Sequence, residues 1–456
     1  MANSYLTRTF GTPTNAYKFT ISFWVKRSKL SVSHIAPITA GTYNSTNMGQ
    51  FLFNSDDILL CQTYNSGGSV TMAQDTNMKF RDTNAWYHIV LAVDGTLGTA
   101  GDRQKLYVNG ELITSLATDT NASQNTNLAF NQNGIQCMIG NRAGTSYYFD
   151  GYMSHVAFVD GQQLTPTTFG ETDSTSGIWK FKSPSGITWG NNGFHLKFEN
   201  SAALGTDSSG EGNDFTVNGN LKQALDTPSN VYCTLNPLAK GDLTNNATLT
   251  NGNTYYSSDQ SGYNIRAGTL GASKGKWYWE GKFISHNPQT SPGMPLGIIA
   301  DNIPIGTNIA GGQAPYYYSY TYDGSNGSVT YDSSGTNYGT TILDTIGQIG
   351  MVAMDLDNNK VYFGVNGVWT NSANPSNGTG GYSIIDPADT PLGFYLPAVS
   401  DRSSIREYVY AWNFGNGYFG TTAITSAGLN GNGSLFEYDV PSGFYALNTK
   451  NINTYG

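Results

Sequence analysis

Charge is scarce in this chain. Asp, Glu, Lys and Arg make up 12% of its 456 residues, about half the usual share. The 23 basic side chains are outnumbered by 32 acidic ones, for a net −9 at pH 7. The densest basic stretch is only Lys26, Arg27 and Lys29. A surface that tracks phosphates needs clustered cations, so nucleic acid is not an expected partner. Long apolar runs are missing as well, and none approaches the ~20 residues of a membrane-spanning helix. The opening residues, Met1 to Arg8, lack the apolar core of a signal peptide. The expectation is a protein made in a cytoplasm and not inserted into a membrane. Three widely spaced cysteines, Cys61, Cys137 and Cys233, make neither a disulfide framework nor a zinc site. No segment sustains a helical period for three turns.

What the chain has is glycine, 55 residues, and aromatics, 13% with 30 Tyr and 8 Trp. Aromatic richness with low net charge is the reverse of a disordered composition. Thr20 to Lys26 alternates with Ile21, Phe23 and Val25 on one face, as a half-buried strand does. Trp86 to Asp94 is longer and more apolar, like a central strand. Asn, Gly, Ser, Thr and Asp clusters lie between such runs and supply turns. The fold class is all-β. Residues 90–111 and 352–368 share a pattern: a buried strand, a turn, a second strand, then Asn109-Gly110 or Asn366-Gly367, which suits a type I′ turn. Two related antiparallel β-sandwich domains in tandem account for that repetition. The expected boundaries are 1–222 for the first sandwich, 223–249 for a linker broken by Pro228 and Pro237, 250–426 for the second, and 427–456 for a tail that docks back on a domain.

The first half resembles a laminin-G-like, concanavalin A-like jelly roll. The resemblance is carried by Tyr5 to Arg8, Phe19 to Arg27, Trp86 to His88, Lys105 to Gly110, Met138 to Asn141, Phe149 to Met153 and Leu204 to Val217. The second half is similar to a SPRY sandwich through Gly275 to Glu280, Gly297 to Ile299, Val352 to Phe363, Asn366-Gly367, Tyr395 to Ser400 and Asn413 to Gly415. The order of jelly roll, Thr-Pro-Ser-Asn linker, SPRY module and Ser-Gly-Phe tail resembles virion-associated proteins of tailed phages. That resemblance implies a non-enzymatic structural protein at the virion surface, a fibre, knob or capsid appendage taking part in host attachment. Its implied partners are further copies of itself, other virion proteins and host surface glycan. A glycan-binding adhesin is the alternative, and a polysaccharide hydrolase the third reading. Fold transfers better than function in such modules.

Few motifs carry chemistry. A glycosidase needs two carboxyl groups about 5–9 Å apart. Glu171 with Asp173 and Glu437 with Asp439 have alternate spacing, but each pair lies in a turn-rich segment. Asp355 to Asn359 opens like a calcium loop, yet Lys360 stands where an EF-hand needs Gly and Asn366 where it needs Glu. Asp207 and Asp214 bracket a Gly-rich loop with two readings: a calcium site, or a turn whose side chains bond their own backbone. No other cofactor is expected. The most unusual feature is Tyr316 to Tyr322, which puts Tyr316, Tyr318, Tyr320 and Tyr322 on one strand face. Tyr rings suit sugar stacking or a subunit interface, and equally the inside of a sandwich. Tyr147 and Tyr148 offer a smaller version of the same choice.

Overall fold

The computed structural model describes residues 4–42, 46–142, 147–240, 247–258, 265–287, 296–300, 317–322, 327–331, 334–339, 345–400 and 407–456. The chain divides into two compact units, one of residues 1–223 with 227–229, the other of 224–226 with 230–456. Both are built from antiparallel sheets, so the architecture is that of tandem β-sandwiches.

In the first unit, an eight-stranded sheet faces a six-stranded one. The six-stranded sheet runs, in spatial order, Phe194–Leu196, Gly151–Asp160, Lys18–Arg27, Tyr87–Asp94, Gln104–Val108 and Glu111–Leu112. Phe19, Ile21, Phe23 and Val25 point from it into a core shared with Ile38, Phe51, Phe53 and Leu59 of the other sheet. Their alternation with Thr20, Ser22 and Trp24 is the pleat itself: one face packs, the other points away. That second face is not bare. A separate two-stranded hairpin, Gly170–Thr172 with Trp179–Phe181, contacts it through Trp179 and Phe181. Beside the hairpin, Phe169 packs on Ala157 and Val159.

Buried polar groups tie the first unit together. The Asp57 carboxylate accepts from Arg27 Nη2 at 3.0 Å, from Arg81 Nη1 at 2.7 Å and from Ser31 N at 2.7 Å. Asp160 accepts from Thr14 N at 2.6 Å and from Asn131 Nδ2 at 2.8 Å. Each carboxylate is closed off by donors, which is what makes its burial tolerable.

The second unit pairs a seven-stranded with a nine-stranded sheet. Trp277, Trp279, Phe363, Tyr410 and Trp412, all fully buried, fill the space between. Residues 223–249, read from sequence as a linker, are a correction: most of them are built into this unit. Leu235–Lys240 pairs with Ile265–Gly268, Thr248–Thr250 pairs with Tyr255–Ser257, and Cys233 and Leu235 are fully buried. Pro237 is tolerated because its strand lies at the edge of the seven-stranded sheet, where a missing N–H breaks no interior ladder.

The last residues pack on the same unit. Phe436, Val440, Phe444 and Ala446 lie against Tyr278, Met351 and Tyr362, and Tyr445–Ala446 adds a short parallel strand beside Trp277 and Tyr278. A seven-residue helix, Thr449–Tyr455, follows, capped by the Asn448 side chain accepting from Asn451 N at 2.8 Å. It is too short to show a helical period in the sequence.

Candidate functional site

Tyr318 and Tyr320 are each 2% exposed and belong to the inter-sheet core. Tyr320 stacks on Phe363 at 5.3 Å, and Tyr318 lies 6.1 Å from Tyr395 with its hydroxyl accepting from Ile385 N. This corrects the expectation of a ligand or interface platform at Tyr318 and Tyr320: the face they share is the inward one. Tyr317, on the opposite face, is also fully buried. Tyr316 and the side chain of Tyr322 lie outside the described residues.

Tyr147 differs. It is 42% exposed and sits at φ +57, while His34 sits at φ +61 and Ser31 at φ +54. A left-handed backbone is uncommon for such residues and persists only where surrounding structure holds it. Here the holding contacts are plain. Ala36 N donates to Tyr147 O, Gly140 N to Pro37 O and Phe149 N to Gly140 O, which stitches the segment after Gln136–Ile139 to the start of the strand Ile35–Ala40. The Arg142 guanidinium stands 5.2 Å from the centre of the Tyr147 ring, and the His34 ring meets it edge-on at 5.2 Å. Burial, then Arg142, lowers the His34 pKa, which favours a neutral imidazole, itself hydrogen-bonded to Ser33 Oγ. The neighbouring Tyr148 lies 6.1 Å from Tyr5. An exposed ring fixed beside a guanidinium and a neutral imidazole can stack on an apolar ring face and hydrogen-bond hydroxyls at its edge.

The other sequence candidates are occupied internally. Asp207 accepts from His195 N at 2.9 Å, Ser209 N at 2.8 Å, Ser209 Oγ at 2.7 Å and Asn213 N at 2.9 Å. Asp214 accepts from Asp207 N at 2.7 Å. Their loop therefore bonds its own backbone. Among the described residues, no three His, Cys, Asp or Glu side chains gather as metal ligands. Glu171 and Asp173 hold Lys180 at 3.6 and 2.9 Å, and Glu437 and Asp439 accept from Thr425 N and Leu429 N, each at 2.7 Å. Both acidic pairs fasten turns.

Three groupings escaped the sequence reading. Ser22 Oγ lies 2.8 Å from His88 Nε2, and Trp179 Nε1 lies 3.0 Å from His88 Nδ1. An indole nitrogen only donates, so Nδ1 is the acceptor and the imidazole proton is on Nε2. His88 therefore donates to Ser22 and cannot withdraw its proton, which removes the pair as an activated nucleophile. His155 Nδ1 and His195 Nε2 meet at 3.4 Å. In the second unit, fully buried Glu280 accepts from Glu437 N and Tyr438 N at 2.9 Å and from the Tyr278 hydroxyl at 3.0 Å. Burial lifts its carboxyl to about 7.

A family model of the concanavalin A-like lectin/glucanases superfamily, Laminin_G_3, matches residues 2–168. The matched stretch lies within the first unit, and it is the part of the chain that is similar to that superfamily. Tyr147 and most strands of the first unit fall inside the matched stretch. Among solved structures, the SPRY domain of human HERC1 is similar at 15% identity and a TM-score of 0.29, over 39% of this chain and 96% of that one. A heptameric SAP-like pentraxin from Limulus polyphemus is similar at 16% identity and a TM-score of 0.26, over 41% of this chain and 88% of that one. A putative carbohydrate binding protein from Bacteroides ovatus is similar at 18% identity and a TM-score of 0.29, over 50% and 59%. These are likenesses of fold. No curated protein matches the chain in sequence, and no described helix is long and apolar enough to cross a membrane.

Proposed function

We propose that this is a non-enzymatic surface-recognition protein that binds glycan through the Tyr147 rim of its first sandwich. The observation that carries this reading is the exposed Tyr147 ring, held at a positive φ between Arg142 and His34. A flat ring with flanking donors is the ordinary chemistry of sugar recognition, in which weak single contacts become useful when copies act together. We place the protein at the surface of a tailed-phage virion, as a homo-oligomeric fibre, knob or capsid appendage touching other virion proteins, on the strength of its resemblance to that family. The non-enzymatic part rests on the acidic pairs being bound up in turns and on the fixed proton of His88.

The test is retention of the purified full chain on bacterial envelopes before and after periodate oxidation of their sugars. Retention that disappears with oxidation is the expected result. Retention unchanged by oxidation, or none on any envelope, contradicts glycan recognition. An antibody against residues 250–420, imaged on particles, tests the location separately, and particles without label remove the virion assignment.

A further inference from the structure

The hairpin Gly170–Phe181 belongs to neither main sheet of its unit, and a two-stranded hairpin is marginal by itself. Its outward side chains are solvated: Glu171 and Asp173 pair with Lys180, and Ile178 is 66% exposed. Two aromatic side chains attach it to the sheet, and both land on histidines. Trp179 donates its indole N–H to His88 Nδ1 at 3.0 Å. Phe181 stacks on His155 with ring centres 3.5 Å apart and planes 10° off parallel. The flanks are anchored differently. Phe169 packs on Ala157 and Val159, and Trp189 stacks on His195 while its carbonyl accepts from Asp160 N. The chain is thus fixed on both sides of a lightly held middle.

We propose that the hairpin is a strap that closes over the outer face of the six-stranded sheet while His88 is neutral and lifts from it when His88 takes up a proton. The acceptor at Nδ1 exists only in the neutral ring. Protonation puts an N–H on Nδ1 facing the Trp179 N–H, donor against donor, at a fully buried ring. Trp24 stacks on the other side of His88 at 4.7 Å, and indoles attract a cation, but neither ring offers the second N–H an acceptor. The buried Trp24 Nε1 has no hydrogen-bond partner among the described residues, so the closed face is not fully satisfied. Trp179 fits because a Cβ on Gly110 or Gly170 would come within 2.7 or 2.5 Å of its ring.

Charged groups around His88 do not reverse this. On its own face, Lys26 donates to Asn84 and Lys105 pairs with Asp102. The acids of the hairpin, Glu171 and Asp173, are held by Lys180. His155 faces His195 and Lys197, and His195 also faces Asp207. Burial holds the closed-state His88 at about 3. An exposed histidine titrates near 6.5, so acidification to pH 5 shifts closure towards opening by about thirtyfold. Opening bares Ser22, Trp24 and His88.

Hydrogen–deuterium exchange on the full chain at pH 7.5 and 5.0, corrected for intrinsic rates, tests the strap. Amides of residues 170–181 should lose protection by about thirtyfold at pH 5.0 and stay well below the protection of Tyr87–Asp94 at both pH values, because the strap opens without the sheet unfolding. Trp179→Phe, which keeps a ring and loses the donor, should exchange fast at both pH values, with less than a twofold difference between them. Equal hairpin protection at the two pH values overturns the proposal. So does hairpin protection equal to that of Tyr87–Asp94 at both pH values, which would mean that the two open only together, or full pH dependence retained in Trp179→Phe.

Discussion

Asn366 repeats in the second sandwich what Asn109 does in the first. Asn109 N donates to His88 O and its Oδ1 accepts from His88 N, both at 2.8 Å. Asn366 makes the same pair with Ile349, again both at 2.8 Å. The φ angles of Asn109-Gly110 are +49 and +86, and those of Asn366-Gly367 are +49 and +83, so both are type I′ turns with the matching twist. One side chain thus closes the turn and clamps the first strand of a three-stranded meander. Asn109→Ala or Asn366→Ala should cost roughly 1–3 kcal/mol, from a lost part-buried hydrogen bond and a residue ill suited to positive φ. Each substitution should lower the thermal midpoint of its own unit and leave the other unchanged.

Tyr318 and Tyr320 are expected to act on stability alone. Replacing either by Ala removes a ring packed against Phe363 or Tyr395, a loss of roughly 3–5 kcal/mol for a core aromatic. Tyr147→Ala, at an exposed position, should change stability by about 0.5 kcal/mol or less. Denaturant titration of the three variants separates the two classes. A near-neutral Tyr320→Ala would contradict its place in the core.

The two units should respond to acid in opposite senses. Burial holds His88 and His155 at about 3 and His195 at about 4, with His195 and Lys197 adding to the effect on His155 and Lys197 to that on His195. Between those values and 6.5 the unfolded chain binds more protons, so the first unit keeps its full stability above pH 6.5 and loses it as pH falls. At pH 5 the loss from His88 alone is roughly 2 kcal/mol. Glu280 runs the other way: its carboxyl is lifted from 4.5 to about 7, so its contribution is fully present below 4.5 and is lost as pH rises through 7. Calorimetry from pH 8 to 5 should show the first unit's midpoint falling and the second's rising. Glu280→Gln should remove the rise. Parallel movement of both midpoints would contradict these assignments.

Much of the fold was legible because an antiparallel sheet with one packed face writes a period of two into the chain, as at Ile21, Phe23 and Val25. The Asn-Gly turns were legible because few other residue pairs accept two positive φ angles in succession. Alternation could group Tyr318 with Tyr320 but not say which side of the sheet they face, since sugar platform and core look alike in one dimension. Pro237 suggested a break because an edge strand and a linker are equally tolerant of a missing N–H. The His88, Trp179 and Ser22 grouping was illegible for a different reason: its members are brought together from distant segments, and Trp179 stands in a turn-rich stretch with no periodicity. Tyr147 was visible as an aromatic pair after a Gly-Thr-Ser stretch. Its partners His34 and Arg142 were not, because strand pairing alone brings them to it.

Recognition at the Tyr147 rim is tested by glycan-array binding of the wild-type chain and of Tyr147→Ala, each first shown to be folded and equally assembled. The wild type should retain at least one glycan, and Tyr147→Ala should bind it at least about tenfold more weakly, the loss of one stacking contact worth about 1.4 kcal/mol. Equal binding by the two proteins, or a loss produced by Tyr318→Ala and not by Tyr147→Ala, would contradict it.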